Sequence, residues 1–161
     1  IMKVLVTGGV GFVGTNLIKR LLREGHEVLS IDNYSTGFKE NEQEGCDYHN
    51  IDINNKSIID REVFQDVDVI YHMAALARIQ PSLIRPQITI EANVNGVLNI
   101  LELARKNNIP FIYAGSSSFH HGLYGSPYAW SKHAGEQLCK LYSDVYGLST
   151  AICRFYNVYG P

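Results

Sequence analysis

The stretch Thr7-Gly8-Gly9-Val10-Gly11-Phe12-Val13-Gly14 decides the fold that this sequence predicts. It follows the apolar run Lys3 to Thr7 and opens an amphipathic segment, so its glycines lie between a predicted strand and a predicted helix. Gly8 permits a tight turn, Gly11 leaves room for a pyrophosphate against the backbone, and Gly14 lets the helix approach the strand. The free N–H groups and partial positive charge of a helix N-terminus favour phosphate. We therefore predict a phosphate-binding loop here.

An acidic residue follows the loop at the position expected for a dinucleotide-binding sequence. Asp32 ends the second predicted strand, 18 residues beyond Gly14. It can accept hydrogen bonds from both hydroxyls of an adenosine ribose, and its charge would repel a 2′-phosphate. The sequence therefore favours NAD over NADP. The competing interpretation is a structural turn with an unrelated surface carboxylate, and the order of strand, loop, helix and acid argues against it.

Strands and helices are predicted to alternate along the whole chain. The predicted strands are Lys3–Thr7, Glu27–Asp32, Asp47–Asn50, Val67–His72, Phe111–Ala114 and Ser149–Arg154. The predicted helices are Phe12–Glu24, Pro86–Lys106 and Pro127–Tyr146. This alternation is typical of parallel strands joined by crossover helices. We expect residues 1–161 to form one α/β domain, a Rossmann-like doubly wound parallel sheet of order 3-2-1-4-5-6.

Composition excludes several other classes of protein. The 161 residues carry 14 Lys+Arg against 16 Asp+Glu, a net charge of -2, which makes nucleic acid and anionic membrane poor partners. No apolar run reaches the length of a membrane span. The three cysteines have no C-x-x-C spacing, and no signal peptide precedes them, so they are predicted to be reduced thiols. We expect a cytoplasmic protein with a small-molecule partner.

A second group of residues predicts acid–base chemistry. Tyr128 and Lys132, in Y-A-W-S-K, share one face of a predicted helix. An ammonium about 4 Å from a phenol favours the phenolate by up to about 4 kcal/mol at an effective dielectric of about 20, which would suit a general base. Ser116-Ser117-Ser118 follows the fifth strand and could hydrogen-bond the same substrate oxygen. Alone, these patterns also occur as a helix surface and a polar loop.

Together these segments resemble the extended short-chain dehydrogenase/reductases of the NAD-dependent nucleotide-sugar epimerase/dehydratase group. The resemblance spans essentially the whole chain. It is carried by T-G-G-V-G-F-V-G at 7–14, D-N-Y-S-T-G at 32–37, D-I at 52–53, H-M-A-A at 72–75, N-V-N-G at 93–96, the serines at 116–118, Y-A-W-S-K at 128–132 and R-F-Y-N-V-Y-G-P at 154–161.

The resemblance implies a role for each matching residue. Tyr128 would remove a proton from a sugar hydroxyl, Ser117 (or Ser118) would share that hydrogen bond, and Lys132 would hold the nicotinamide ribose, while hydride passes to NAD. Asn157 would touch the phosphate of the nucleotide sugar. The implied NAD-binding residues are Gly8, Gly11, Phe12, Val13, Gly14, Asp32, Asn33, Ser35, Thr36, Gly37, Asp52, Ile53, Ala74, Ala75, Ala77, Asn93, Tyr128, Lys132 and Tyr156.

The resemblance also suggests a homodimer built from helices 87–106 and 127–146. Both helices carry apolar residues beyond one stripe, namely Ile88, Leu103, Trp130 and Tyr142.

The sequence departs from the family pattern at His120-His121, where Val-Tyr is usual. No third ligand accompanies the two histidines, so no metal site is predicted. The connection from Ser117 to Tyr128 is short, and the family's smaller C-terminal substrate domain is expected to be missing after Pro161.

Three functions remain open at this point. The leading one is the NAD-binding part of an epimerase-like enzyme that oxidises a sugar hydroxyl transiently and then reduces the ketone again. A 4,6-dehydratase would resemble Thr-Asp-Glu where this chain has Ser117-Ser118-Phe119, so the acid–base carboxylates for eliminating water are not evident. The third is a catalytically silent NAD-binding module.

Overall fold

A six-stranded sheet organises the computed structural model, which describes residues 1–160 except for the side chain of His121. Every strand pair is parallel, and the order is β3-β2-β1-β4-β5-β6, so the predicted doubly wound sheet is confirmed. Pro161, the last residue of the predicted 154–161 motif, lies outside the described residues. The strands are β1 (Lys3–Thr7), β2 (Glu27–Asp32), β3 (Cys46–Asn50), β4 (Val69–His72), β5 (Phe111–Ser116) and β6 (Thr150–Phe155).

Helices connect the strands on both faces of this sheet. They are α1 (Phe12–Arg23), α2 (Ile79–Ile84), α3 (Pro86–Ile90), α4 (Gly96–Asn107) and α5 (Pro127–Tyr146). Single 3₁₀ turns cover Lys39–Asn41, Lys56–Asp60, Glu62–Phe64 and Ser117–His121. The short helix α2 was not predicted, because its six residues include Pro81 and are too few to show a period. Within residues 1–160, none of these helices has the length and apolar character needed to cross a membrane.

The predicted helix over Pro86–Lys106 is wrong in one respect, because a π turn over Glu91–Asn95 interrupts it between α3 and α4. A π turn accommodates one more residue than an α turn, and here Asn93 is the buried residue of the turn. Its amide bonds the chain after β4 and the helix α5 rather than solvent. The spacing of apolar residues could not reveal this π turn, since the apolar face of the predicted helix continues on both sides of it.

Two apolar layers hold the sheet between its helices. Along β1, Val4 and Val6 face Ile18 and Leu21 of α1, whereas Leu5 faces the opposite layer. That second layer is larger and includes Ile70, Val97, Ile100, Leu101, Phe111, Tyr113 and Cys139. Parallel strands covered on both faces are apolar at consecutive positions, as β1 is. Full burial of each such side chain contributes about 1.5–3 kcal/mol.

Helix α5 begins at a well-defined cap. The Ser126 Oγ accepts a hydrogen bond from the Ala129 N–H at 3.1 Å, and Pro127 occupies the first turn, where its missing N–H costs nothing. The helix ends at Gly147, whose φ of +68° suits glycine. These signals fix Tyr128 in the first turn of α5 and Lys132 one turn later.

Candidate functional site

A cleft of about 750 Å³ opens beside the carboxyl ends of β1, β2 and β4, where the chain winds in opposite directions across the sheet. Such switch points are where doubly wound sheets bind ligands. The predicted cofactor residues line the cleft with four exceptions, which are Asn93, Tyr128, Lys132 and Tyr156. The sequence did not predict several other lining residues, among them Met73, Leu76, Arg78, Pro81 and Arg85.

The glycine loop forms a cradle in which three of the glycines, Gly8, Gly9 and Gly14, have no room for a side chain. A Cβ on Gly14 would lie 2.1 Å from the Gly8 carbonyl oxygen. Gly8 itself has a φ of +74°, and its Cβ would lie 2.7 Å from the Ala74 nitrogen. A Cβ on Gly11 would meet only the Gly8 oxygen, at 3.4 Å, so Gly11 is not required by the packing of the protein. Open space above Gly11 beside a helix N-terminus fits a diphosphate.

Asp32 connects two loops at the edge of the cleft. Its Oδ2 accepts a hydrogen bond from the Val10 N–H at 3.1 Å, and its Oδ1 accepts one from the Tyr34 N–H at 2.9 Å. Each carboxylate oxygen can accept a further hydrogen bond, so both remain available to ribose hydroxyls. The neighbouring Asn33 amide donates to Asp52 Oδ2 at 3.2 Å. The residues present therefore fit the adenosine half of NAD.

The segment after Asp32 wraps over the glycine loop through the predicted residue Gly37 and through Tyr34 and Asn41, which sequence reasoning missed. Asn41 donates a side-chain hydrogen bond to the Val10 carbonyl at 2.8 Å. Gly37 approaches Val10 so closely that a Cβ would lie 2.6 Å from the same carbonyl oxygen. Tyr34 has a φ of 57°, and its hydroxyl donates to Glu42 at 2.5 Å. No sequence motif carries these contacts, since they depend on where the segment crosses the loop.

Tyr128 meets a serine at the end of β5. Its hydroxyl donates a hydrogen bond to Ser116 Oγ at 3.3 Å, and the same oxygen accepts the Ser118 N–H at 3.1 Å. The geometry thus brings Ser116 to the phenol, one residue before Ser117. The resemblance implied Ser117 or Ser118 for this position, and neither side chain forms the observed contact with the phenol. The roles of Ser117 and Ser118 stay predictions.

Helix α2 links the cleft wall to Tyr128. The Ser82 Oγ of α2 accepts a hydrogen bond from the Tyr128 N–H at 3.2 Å. This N–H belongs to the first turn of α5, where no intrahelical acceptor is available. Pro81, next to Ser82, lines the cleft. The short helix therefore holds the start of α5 beside the cleft.

Lys132 is a buried cation. Its side chain lies over the ring of Tyr113, with Nζ 4.6 Å from the ring centre. Burial lowers the pKa of Lys132 to about 8, and the Glu136 carboxylate one turn further along α5 partly offsets that effect. A cation near an aromatic face is stabilised by the ring quadrupole. A buried, loosely solvated ammonium is suited to acting on a neighbouring phenol or ribose.

His72 lies beneath this cation as a packed, hydrogen-bonded side chain. Its Nδ1 is 3.0 Å from Thr7 Oγ1, which also accepts the Ala74 N–H at 3.2 Å. Complete burial, and secondarily the charge of Lys132, lower the pKa of His72 to about 3. The imidazole is therefore neutral at physiological pH and adds no second charge beside Lys132.

The remaining predicted site residues lie outside the cleft. Asn93 is buried, accepts the Leu76 N–H at 2.8 Å, and donates to the Leu76 carbonyl at 3.1 Å and to Ser131 Oγ at 3.0 Å. Its amide is fully used, so it braces the cleft wall against α5. Tyr156 is exposed and stacks on His120 at 6.2 Å between ring centroids. Asn157 is also exposed. The predicted contacts of these residues with ligands stay predictions.

A doubly wound parallel sheet, a glycine cradle and an acid at the end of β2 define a dinucleotide-binding protein, and the Ser–Tyr–Lys group beside the cleft adds the means for acid–base chemistry. The sequence matches the NAD dependent epimerase/dehydratase family over residues 4–161. The chain belongs to this family, so the resemblance found in the sequence is confirmed. NAD, the predicted cofactor, is the cofactor in the family's description.

Relatives include enzymes that act on nucleotide sugars. The chain is 36% identical to a putative UDP-glucose 4-epimerase of Methanocaldococcus jannaschii, covering 98% of this chain and 56% of that protein. It is 29% identical to UDP-glucuronic acid decarboxylase 1 of Xenopus tropicalis, covering 99% of this chain and 42% of that protein. The chain thus spans about half the length of the curated relatives it matches.

Solved structures repeat this fold. The UDP-glucose 4-epimerase of Thermus thermophilus in complex with NAD superimposes with a TM-score of 0.91 at 34% identity, covering 99% of this chain and 57% of that one. The UDP-glucose 4-epimerase of Thermotoga maritima with UDP-glucose gives a TM-score of 0.93 at 28% identity, with the same coverage. The arrangement of the strands is therefore shared with NAD-binding epimerases.

Proposed function

We propose that this chain is the cofactor-binding part of an enzyme that acts on a nucleotide sugar by transient oxidation of a sugar hydroxyl, as an epimerase does. The observation that carries the proposal is the hydrogen bond from Tyr128 to Ser116, beside the buried Lys132. These side chains come from β5 and α5, next to the strand ends that open on the cleft. The family and the nucleotide-sugar relatives support the same reaction class.

Each side chain has a defined task in this proposal. Tyr128, as phenolate, accepts the proton of a sugar hydroxyl while Ser116 donates a hydrogen bond to the same sugar oxygen. Lys132, one turn after Tyr128 on α5, reaches the nicotinamide ribose. The cleft residues, among them Gly11 and Asp32, would hold NAD, which would supply the reversible acceptor for the hydride of the sugar carbon. Tyr128 then gives the proton back, so the enzyme needs no net oxidant.

A catalytically silent NAD-binding module is the competing proposal. Such a module would use the glycine cradle and Asp32 and would not need the contact between Tyr128 and Ser116. A 4,6-dehydratase is less well supported, because the serine turn offers Ser117-Ser118-Phe119 and no carboxylate. A UDP-glucuronic acid decarboxylase also occurs among the relatives.

The test is turnover of UDP-glucose by the purified chain with NAD, followed as formation of UDP-galactose. We expect slow interconversion that Tyr128→Phe abolishes. Calorimetric titration with NAD is run in parallel on both proteins. NAD binding without any turnover in the unsubstituted chain would support the silent module, and the absence of NAD binding would contradict both proposals.

We also propose that the chain forms a homodimer in the cytoplasm. Apolar side chains of α3 to α5 remain exposed, namely Ile88, Leu98, Trp130, Leu141 and Val145. Two residues predicted to contribute, Leu103 and Tyr142, are instead buried within the protomer, so that part of the prediction is wrong. Light scattering at high concentration tests the dimer, and Leu141→Glu should convert it to a monomer. A monomeric unsubstituted protein would refute this proposal.

A further inference from the structure

An ion pair between a buried carboxylate and a partly exposed guanidinium joins α5 to the edge strand β6. The Glu136 side chain is 4% exposed, and Arg154 binds it with two nitrogens, Nε at 3.1 Å from Oε1 and one terminal nitrogen at 2.8 Å from Oε2. Such a two-pronged contact fixes the relative orientation of both groups, which a lysine ammonium would not do. The pair therefore sets where β6 lies against the middle of α5.

The same guanidinium holds the serine turn. Its central carbon lies 4.2 Å from the centre of the Phe119 ring, in the turn Ser117–His121. The flat face of a guanidinium can stack on an aromatic ring while its N–H edge donates hydrogen bonds, so one side chain contacts two elements at once. Arg154 thereby connects α5, β6 and the turn that follows Ser116.

Gly115 of β5 leaves space that the ion pair between Glu136 and Arg154 occupies. A Cβ at Gly115 would lie 2.6 Å from Glu136 Oε1 and 3.1 Å from Arg154 Cγ. The ion pair thus packs directly on the backbone of β5 at the residue before Ser116. A shift of the ion pair would therefore move the backbone next to Ser116, whose hydroxyl contacts Tyr128.

Stability alone does not account for such a pair. The Glu136 carboxylate is taken out of water while Arg154 stays 36% exposed, and the attraction between the two charges only partly returns the cost of burying the carboxylate. What the pair does supply is geometry. The chain also contains a comparable pair elsewhere: Arg105 binds Glu102 with two nitrogens, at 2.9 Å and 2.8 Å, and lies 4.9 Å from the ring centre of Tyr146.

We infer that Arg154 is a positioning residue for the Ser116–Tyr128 pair, because it clamps Glu136 of α5 and Phe119 of the serine turn on either side of Gly115. This inference rests on the proposed function, in which that hydroxyl pair handles the sugar proton. Arg154 and its partners Glu136 and Phe119 are not among the residues that line the cleft, so its effect is expected on turnover and not on NAD binding.

The test compares Arg154→Met with Arg154→Lys and with the matched control Arg105→Met. Three quantities are measured on the whole chain: hydrogen exchange of the Ser118 amide, which donates to Ser116 Oγ, the Kd for NAD, and kcat and KM for UDP-glucose. For Arg154→Met we expect at least tenfold faster exchange, at least a tenfold lower kcat, and a KM and a Kd for NAD within twofold of the unsubstituted values. Arg154→Lys should remain slow, since charge without the planar fork does not position the turn.

Several outcomes would overturn the inference. Unchanged exchange in Arg154→Met, full activity in Arg154→Lys, or equal effects in Arg105→Met would each show that Arg154 does not position the serine turn. If Arg154→Met does not fold, Phe119→Leu replaces it, because it leaves the ion pair and removes only the stacked face; normal exchange there would also refute the inference. Absence of turnover in the unsubstituted chain refutes the proposed function, whereas the exchange experiment is read independently of turnover.

Discussion

The carboxylate of Asp32 accepts a hydrogen bond from the backbone N–H of Val10, 3.1 Å away, and so ties the end of β2 to the glycine loop. The residue predicted to select the ribose is therefore also one that holds the glycine loop in place. A substitution at Asp32 changes both the charge that faces the ribose and the position of the loop.

Asp32→Asn should reduce the preference for NAD over NADP. The substitution removes the charge that opposes a 2′-phosphate, and it leaves one backbone N–H without its carboxylate acceptor. Hydrogen bonds to charged groups contribute about 1.5–3 kcal/mol, so we expect NAD to bind about tenfold more weakly or worse. Calorimetric titration with both cofactors measures the change. The control Asp60→Asn removes an exposed carboxylate paired with Lys106 and should alter neither Kd; an unaltered preference in Asp32→Asn would contradict the assignment.

Gly11→Ala and Gly14→Ala should separate binding from folding. A Cβ at Gly11 has an ordinary contact at 3.4 Å, so Gly11→Ala should fold normally and lose NAD affinity because the methyl group occupies the diphosphate position. A Cβ at Gly14 would lie 2.1 Å from a carbonyl oxygen, so Gly14→Ala should cost about 1–3 kcal/mol in the free energy of unfolding. Urea unfolding and NAD titration distinguish the two. Normal NAD binding by Gly11→Ala would place the diphosphate elsewhere.

Tyr128→Phe should abolish catalysis without affecting cofactor binding. The hydroxyl lies against Ser116, outside the residues that line the cleft, so its loss should change the Kd for NAD by less than about twofold. General acid–base groups contribute about 10²- to 10⁴-fold to rates, and the turnover of UDP-glucose should fall accordingly. Tyr146→Phe, on the exposed end of the same helix, serves as the control. Retained turnover would exclude Tyr128 as the base.

His72 should make the fold sensitive to acid. The pKa of His72 in the folded protein, about 3, lies below the ordinary 6.5, so the unfolded chain binds one more proton between these values. The free energy of unfolding should therefore fall as the pH drops from 6.5 toward 3, by at most about 5 kcal/mol from this residue. Urea unfolding from pH 7.5 to 4.5 should show a shallower fall for His72→Gln than for the unsubstituted chain. Parallel curves would contradict the expected burial penalty.

The strands and the cleft were predictable because local signals determine them. β1 and β2 match the predicted bounds. The spacing of the glycines between β1 and α1 predicts the conformation of that loop. Once six parallel strands alternate with helices, the right-handed crossover rule leaves few possible orders for the sheet. The residues that line the cleft then follow from their positions at the strand ends.

The contacts around Tyr128 could not be predicted, because they join residues distant in sequence. Whether Ser116 or Ser117 meets the phenol depends on the exact residue at which β5 ends, and strand ends are the least certain part of any periodicity argument. The pairing of Glu136 with Arg154 leaves no pattern in the sequence, since any of several basic residues could have been the partner of Glu136. Asn93 matched a family motif, yet only the fold shows that its amide is used within the protein.

The π turn at Glu91–Asn95 constrains the length of the chain as well as its composition. Deleting one residue there would restore an α turn and leave α4 in nearly the same phase relative to α3, because the wider turn absorbs the extra residue. Ile100 and Leu101 would still face the sheet, whereas the Asn93 amide would leave its place between Leu76 and Ser131. We therefore expect a one-residue deletion here to preserve the helices and to remove the buried amide bridge, so that the number of residues between Pro86 and Asn107 serves that bridge.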